Sequence, residues 1–326
     1  MKVLVTGATG FTGHNLAKKL FKSGHDVKVL VRNRAKVNVT DEYDPEIIEG
    51  NIIDSEAVEK AVKGCEKVFH IAAMFRTAGF TDKAYYDVHV KGTENLLQSS
   101  LRHQVQRFVH CSTVGVHGDI DNPPANELSP FKPGDIYQQT KLEGELKTYE
   151  FYKKTKLPIS IIRPTAIYGP GDLRLLKLFK LATKSVTLIL GDGEIFYHMV
   201  YIDDLVDAFI LASEKDTAIG EAFIAGGDEL YSLNRLIEVI AKEAAVSQTV
   251  FHLPALPLQL IGSLCEKVCI PFKIEPPIYR RRVDFFTKSR AFDISKAKRL
   301  LGYQPRVTIQ QGIANTYKWY KEQNHL

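Results

Sequence analysis

Short apolar runs alternate with amphipathic stretches over the first half of this chain. Val3, Leu4 and Val5 form a continuous apolar run, the pattern of a strand buried on both faces. Gly7, Gly10 and Gly13 follow. Residues 15–23 set Leu16, Leu20 and Phe21 against Lys18, Lys19 and Lys22, a helical spacing that Gly24 stops. Residues 26–31 predict a second strand. Further strands are expected at 45–49, 68–71, 107–111 and 159–162, and helices at 55–63, 83–102 and 136–154. Such alternation through residue 164 is what a parallel sheet with crossover helices requires. Beyond it the pattern loosens. Helices are expected at 173–184, 203–213 and 232–244, the last capped by Ser232. A strand at 221–225 runs into Gly226-Gly227, prolines break 251–277 into short pieces, and a last short helix at 294–301 ends at Gly302. No internal repeat and no low-complexity tract is visible.

The N-terminal pattern is the most specific. Strand, glycine turn, helix and strand follow within about thirty residues, the context in which a glycine pattern marks a dinucleotide site. Gly7 suits the tight turn, Gly10 lets backbone approach a pyrophosphate, and Gly13 lets helix and strand pack closely. The helix N-terminus offers N–H groups and positive dipole to phosphates. The expected fold is therefore α/β: a Rossmann-type doubly wound parallel sheet with a smaller C-terminal substrate lobe. In this reading residues 1–164 with about 199–227 form the nucleotide-binding domain, and 165–198 with 228–326 the substrate lobe. Ligands of such sheets lie outside the carboxyl ends of the strands, so the active site is expected between the lobes.

Tyr137 and Lys141 lie four residues apart on a predicted helix, hence on one face. An ammonium beside a phenol favours the phenolate, which suits a tyrosine that exchanges a proton with a carbinol oxygen. The spacing alone is common on solvated helix faces; the glycine turn gives it meaning.

The glycine spacing is Gly-x-x-Gly-x-x-Gly. With the tyrosine–lysine pair, the chain resembles the extended short-chain dehydrogenase/reductase family, the NAD-dependent epimerase/dehydratase superfamily. Its pattern is most similar to the 3β-hydroxysteroid dehydrogenase and dihydroflavonol reductase-like branch. The resemblance covers nearly the whole chain. It includes Glu66-Lys67-Val68-Phe69-His70-Ile71-Ala72-Ala73, Arg107-Phe108-Val109-His110-Cys111-Ser112-Thr113, Ile162-Arg163-Pro164-Thr165-Ala166-Ile167-Tyr168-Gly169-Pro170-Gly171-Asp172 and Val200-Tyr201-Ile202-Asp203-Asp204-Leu205. The resemblance implies an enzyme in which Tyr137 is the general acid/base, assisted by Lys141, with Thr113 orienting the reacting carbonyl and Ser112 as its substitute. It implies cofactor contacts from Gly7, Thr9, Gly10, Phe11, Thr12, Gly13, Asn51, Ile52, Ile71, Ala72, Ala73, Lys141 (to the ribose) and Pro164. The family often carries an asparagine where His89 stands in His89-Val90-Lys91-Gly92-Thr93. A proton relay and a packed helix histidine are both open for it. A homodimer pairing the helices near 83–102 and 136–154 is also implied.

The second strand runs into Arg32-Asn33-Arg34 with no acid to accept the ribose 2′-hydroxyl. Arg32 and Arg34 suit a 2′-phosphate, so NADP is preferred and NAD remains possible. Asn51 stands where the family often has an acid and can meet the adenine amino group through its carbonyl oxygen. For substrate, sugar-converting members tend to carry an asparagine where Ala166 stands. That residue, the proline-broken apolar segment 253–261, and the stretch Arg282-Val283-Asp284-Phe285-Phe286-Thr287 with Phe292-Asp293 favour an apolar steroid-, flavonoid- or lipid-like alcohol or ketone, with Arg282 and Ala166 near it. A nucleotide-sugar epimerase or dehydratase with tightly held NAD is the alternative, since Arg280, Arg281, Arg282 and Arg290 suit a diphosphate. A third reading is an NADP-binding regulator without turnover; such proteins usually lack the tyrosine–lysine pair.

Composition changes little. The 326 residues carry net charge +5, 25% charged and 44% apolar residues, ordinary for a soluble protein and too diffuse a charge for nucleic acid. Cys65, Cys111, Cys265 and Cys269 show neither disulfide framework nor zinc spacing, so no metal is expected. No apolar run reaches membrane-span length and a strand begins at the second residue, so no signal peptide and a cytoplasmic location are expected.

Overall fold

The structure is a computed structural model that describes residues 1–40, 42–75, 79–254, 256–257 and 288–326. The expectations resting on Cys265, Cys269, Arg280, Arg281, Arg282, the stretch 283–287 and most of the apolar segment 253–261 lie outside the described residues.

The strands are β1 (Lys2–Thr6), β2 (Asp26–Val31), β3 (Glu46–Glu49), β4 (Lys67–His70), β5 (Arg107–Cys111), β6 (Ile159–Pro164), β7 (Ala166–Tyr168), β8 (Val186–Leu190), β9 (Phe196–Tyr201), β10 (Ala222–Ala225), β11 (Leu230–Ser232) and β12 (Thr249–Leu253). The helices are α1 (Phe11–Lys22), α2 (Ser55–Val62), α3 (Asp82–Tyr86), α4 (Gly92–Arg102), α5 (Ile136–Thr155), α6 (Leu176–Ala182), α7 (Ile202–Glu214), α8 (Leu233–Glu243), α9 (Ser295–Leu301) and α10 (Ile309–Glu322). Seven strands form one sheet in the order β10-β6-β5-β4-β1-β2-β3, every pair parallel. The reversal beside β1, with β2 and β4 on its two sides, is the switch point of a doubly wound sheet.

The apolar run of β1 explains why this strand is central. Val3 and Val5 enter one core with Leu16, Ala17 and Leu20 of α1 and Leu205 and Phe209 of α7. Leu4 enters the other with Val58 and Val62 of α2 and Leu96 and Leu97 of α4. Alternate side chains thus reach opposite faces of a covered sheet. Lys28 of β2 is buried on the second face, and its ammonium donates to the carbonyl of Lys63 at the end of α2 (3.0 Å), where the helix leaves carbonyls unpaired.

The predicted strands and helices recur within a few residues, with instructive differences. The helix expected at 83–102 is broken: a one-turn π segment, Asp87–Lys91, separates α3 from α4. The helix at 294–301 is not the last, because Thr308 caps α10 by accepting from the Gln311 N–H. Strands β7, β8, β9, β11 and β12 were not expected. Each is short and pairs outside the large sheet, β7 and β11 with β9, and β12 with β8. Of the stretch 199–227, β9 lies in the three-stranded sheet, α7 packs on β5 and β6, and β10 forms an edge of the large sheet. Among the described residues no helix is long and apolar enough to cross a membrane.

Candidate active site

Residues that follow β1, β3, β4, β5 and β6 line one cleft of about 1610 Å³. The turn after β1 is shaped by two glycines. Gly7 has φ +76°, and a Cβ there would lie 2.7 Å from the Ala72 nitrogen. A Cβ on Gly13 would lie 2.2 Å from the Gly7 carbonyl oxygen. Gly10 caps α1 with no side chain, so the first-turn N–H groups of that helix face the turn. Thr6 ties the turn to β4: its Oγ1 accepts from the N–H groups of Ile71 and Ala72, both at 3.2 Å. This backbone cradle, shaped by glycines that add no side chains to it, fits the pyrophosphate of a dinucleotide.

Gly7, Thr9, Gly10, Phe11, Thr12, Gly13, Arg32, Asn51, Ile52, Ile71, Ala72, Ala73, Ser112, Thr113, Tyr137, Pro164 and Ala166 all line this cleft. Four of the expected residues lie off that lining or already hold a protein partner. Lys141 is buried and does not line the cleft, and its ammonium gives one of its three N–H donors to the Cys111 carbonyl at 2.5 Å. Helix α5 packs that turn against the end of β5. Arg34 begins a 3₁₀ turn, Arg34–Lys36, capped by Asn33, which takes it off the cleft lining. Ser112 cannot readily substitute for Thr113, because its hydroxyl donates to Glu145 within a buried network. The Asn51 carbonyl oxygen, expected at adenine, accepts from the N–H of Ile53 at 3.3 Å with one of its two lone pairs.

Tyr137 stands on the first turn of α5, which Asp135 caps by accepting from the Gln138 N–H (2.9 Å). Its ring meets Phe75 edge-on (centroids 5.2 Å) and His89 likewise (5.5 Å). Thr113 follows β5, and its Oγ1 accepts from the Gly115 N–H at 3.0 Å, leaving its own O–H to turn. Behind this loop, Glu145 of α5 takes the Ser112 hydroxyl and two nitrogens of Arg163 of β6; both charged side chains are 4% exposed. Burial pushes the Lys141 pKa down, with nearby Cys111 and Glu145 opposing. Burial, helped by the Lys141 charge, holds His70 at about 3, His89 at about 2 and His110 well below the ordinary range, so all three rings are neutral.

Several lining residues carried no sequence signal. Phe75 and Phe80 come from the stretch after β4, Arg174 from the loop after β7, and Tyr197 and His198 from β9. The Arg174 guanidinium lies 5.5 Å from the Phe11 ring centroid and 5.9 Å from that of Phe75, and it is anchored on Asp172 and the Ile167 carbonyl. It thereby bridges the glycine turn to the neighbourhood of Tyr137. Among the described residues no three His, Cys, Asp or Glu side chains are grouped to hold a metal.

The NAD dependent epimerase/dehydratase family matches this chain over residues 3–226. The chain is 27% identical to a 3beta-hydroxysteroid-dehydrogenase/decarboxylase, isoform 1, of Arabidopsis thaliana over 347 residues, 96% of this chain and 78% of that protein. It is 28% identical to UDP-glucose 4-epimerase of Mycolicibacterium smegmatis over 342 residues, 99% of this chain and all of that one. Among solved structures, UDP-glucuronic acid 4-epimerase from Bacillus cereus in complex with NAD superposes with a TM-score of 0.78 at 26% identity, covering 99% of each chain. With its parallel sheet, its glycine turn and its tyrosine and threonine on one cleft, the chain belongs to the NAD-dependent epimerase/dehydratase family, a family of enzymes within the extended short-chain dehydrogenases/reductases.

Proposed function

We propose that this enzyme transfers a hydride to or from the carbon of a secondary alcohol or ketone, on an apolar substrate, with NADP preferred over NAD. The observation that carries the reading is the placing of Tyr137, Thr113 and the glycine turn on one cleft, with the Lys141 ammonium buried one turn beyond Tyr137. The nicotinamide, when bound, supplies or accepts the hydride. Tyr137 Oη gives a proton to the carbinol oxygen in reduction and takes it in oxidation. Thr113 turns its O–H to the same oxygen and so orients the carbon. Lys141, one turn beyond Tyr137, acts through its positive charge, which favours the phenolate. Phe75 packs edge-on against the Tyr137 ring.

The apolar assignment is supported by Phe75, Phe80, Val114, Leu178 and Phe292 on the lining and by Ala166, which has no polar group to offer a diphosphate. NADP is supported by Arg32, exposed on the lining beyond β2, where no acid stands to accept a 2′-hydroxyl. The second reading, a nucleotide-sugar epimerase with retained NAD, is favoured by Arg174, Lys177, Lys288 and Arg290 on the same lining.

Tyr137→Phe tests the mechanism. Turnover should fall about 10²–10⁴-fold, the usual worth of a positioned acid/base. The dissociation constants of NADPH and NADH should stay unchanged, with NADPH the tighter. Full turnover in the variant removes the acid/base role, and tighter NADH removes the NADP preference. NAD that stays bound through purification selects the epimerase reading.

A further inference from the structure

His89 lies in the π segment between α3 and α4, buried against the Tyr137 ring. Both ring nitrogens are engaged. The Met74 N–H donates to Nε2 at 2.9 Å. A backbone N–H can only donate, so in the neutral ring the proton resides on Nδ1. Nδ1 lies 2.8 Å from Thr140 Oγ1, and Thr140 passes its own O–H to the Ile136 carbonyl (2.7 Å). A second chain meets this one. Thr6 Oγ1, which accepts two backbone N–H groups, donates to His70 Nδ1. His70 Nε2 donates to Thr93 Oγ1, and Thr93 donates to the His89 carbonyl (2.6 Å). The Thr140 hydroxyl also lies 3.2 Å from the Tyr137 carbonyl. Nε2 is thus held by a backbone N–H and the series ends on backbone carbonyls, groups that neither give up nor take a proton at ordinary pH.

From this geometry we infer that His89 is a positioning residue: it ties the backbone of the 71–75 loop at Met74 to α5 at Thr140, and so sets Phe75 and the first turn of α5 on either side of the cleft. Thr140 is three residues from Tyr137 on the same helix, and Met74 precedes the Phe75 that packs on the Tyr137 ring. A shift of the 71–75 loop moves one wall of the reaction site, where a displacement of about 1 Å can cost about 10²-fold in rate. His89 is neutral throughout the working pH range, because burial holds it at about 2. The alternative role, a relay between Tyr137 and solvent, needs a ring that changes protonation or tautomer.

The inference rests on the reading of Tyr137 as acid/base, and its test carries a readout independent of that reading. Glutamine places its amide oxygen at the reach of Nε2, where it accepts from Met74; asparagine reaches only as far as Nδ1 and keeps the Thr140 contact alone. Hydrogen exchange of the 71–75 segment and kcat are measured for His89→Gln, His89→Asn and His89→Ala. Protection of the segment and kcat should be near wild type in His89→Gln. Both should be lost in His89→Asn and His89→Ala, with kcat down about 10–100-fold. The pH profile of kcat should be the same in His89→Gln as in wild type. Unchanged protection in His89→Ala, or a shifted profile limb in His89→Gln, overturns the positioning role. Failure of the acid/base reading shows separately, as turnover in Tyr137→Phe, and leaves the exchange result to decide the tether.

Discussion

The residue scale turns on where charge is buried. Glu145 and Arg163 form a nearly inaccessible ion pair behind the loop that carries Thr113; Glu145 also accepts from Ser112, and Arg163 donates to His117 Nε2 and the Glu127 carbonyl. Two charges out of water are tolerated only while each satisfies the other. Arg163→Met leaves Glu145 unpaired and should cost about 3–5 kcal/mol in urea unfolding, much of it recovered when Glu145→Leu is added. A loss within about 0.5 kcal/mol would mean the pair is inert. Sequence reading recognised Arg163 only as a neighbour of Pro164 and did not foresee Glu145, since a carboxylate two turns beyond Tyr137 looks like any helix-surface acid. What marks it is the partner, eighteen residues away on β6.

Elements position those residues. The crossover after β1 works because α1 lies directly on the glycine turn; a Cβ on Gly13 would sit inside the Gly7 carbonyl. Gly13→Ala therefore must push helix from strand. It should destabilise by about 1–3 kcal/mol, the range for overpacking, and weaken dinucleotide binding at least about tenfold, as read by fluorescence titration of NADPH. Wild-type affinity would show that the cradle is not the pyrophosphate site. The π segment is the other element of consequence. A Cβ at Gly144 of α5 would lie 2.3 Å from the His89 carbonyl oxygen, so α5 packs on the widened turn itself. π turns concentrate at functional sites, and here the extra residue turns His89 toward Tyr137. Sequence periodicity predicted one unbroken helix, because Asp82–Tyr86 is too short for the turn of about 100° that one inserted residue imposes to show in its apolar pattern.

On the scale of the whole molecule, the buried histidines set its acid behaviour. His70, His89 and His110 are neutral in the fold, with pKa values depressed by burial. Unfolded, each would titrate near about 6.5. The unfolded chain then binds more protons below that value, so stability is fully present above about pH 6.5 and falls as pH drops, by up to about 1.4 kcal/mol per pH unit for each ring. The urea midpoint should fall steeply between pH 7 and 5. His110 has both ring nitrogens without a hydrogen-bond partner among the described residues. His110→Phe should flatten that slope by about one proton's worth and hold or raise stability at pH 7. A slope as steep as wild type would place the acid sensitivity elsewhere.

Alternation of apolar and polar positions, with the glycines at 7, 10 and 13, was enough to read the doubly wound sheet, because both depend on contacts between residues near in sequence. The glycine turn and the tyrosine–lysine spacing were legible for the same reason, each at a fixed offset from a strand end or helix start, whereas Thr113 was named only through the family resemblance. Folding alone brings Phe75, Arg174, Tyr197 and Arg290 from four separate stretches onto one wall. It turns Lys141 toward Cys111 rather than the cleft and closes the polar series from Thr6 to Thr140. Those placements depend on side chains meeting across tens of residues, where no local pattern records the partner, and burial then decides which of them carry charge.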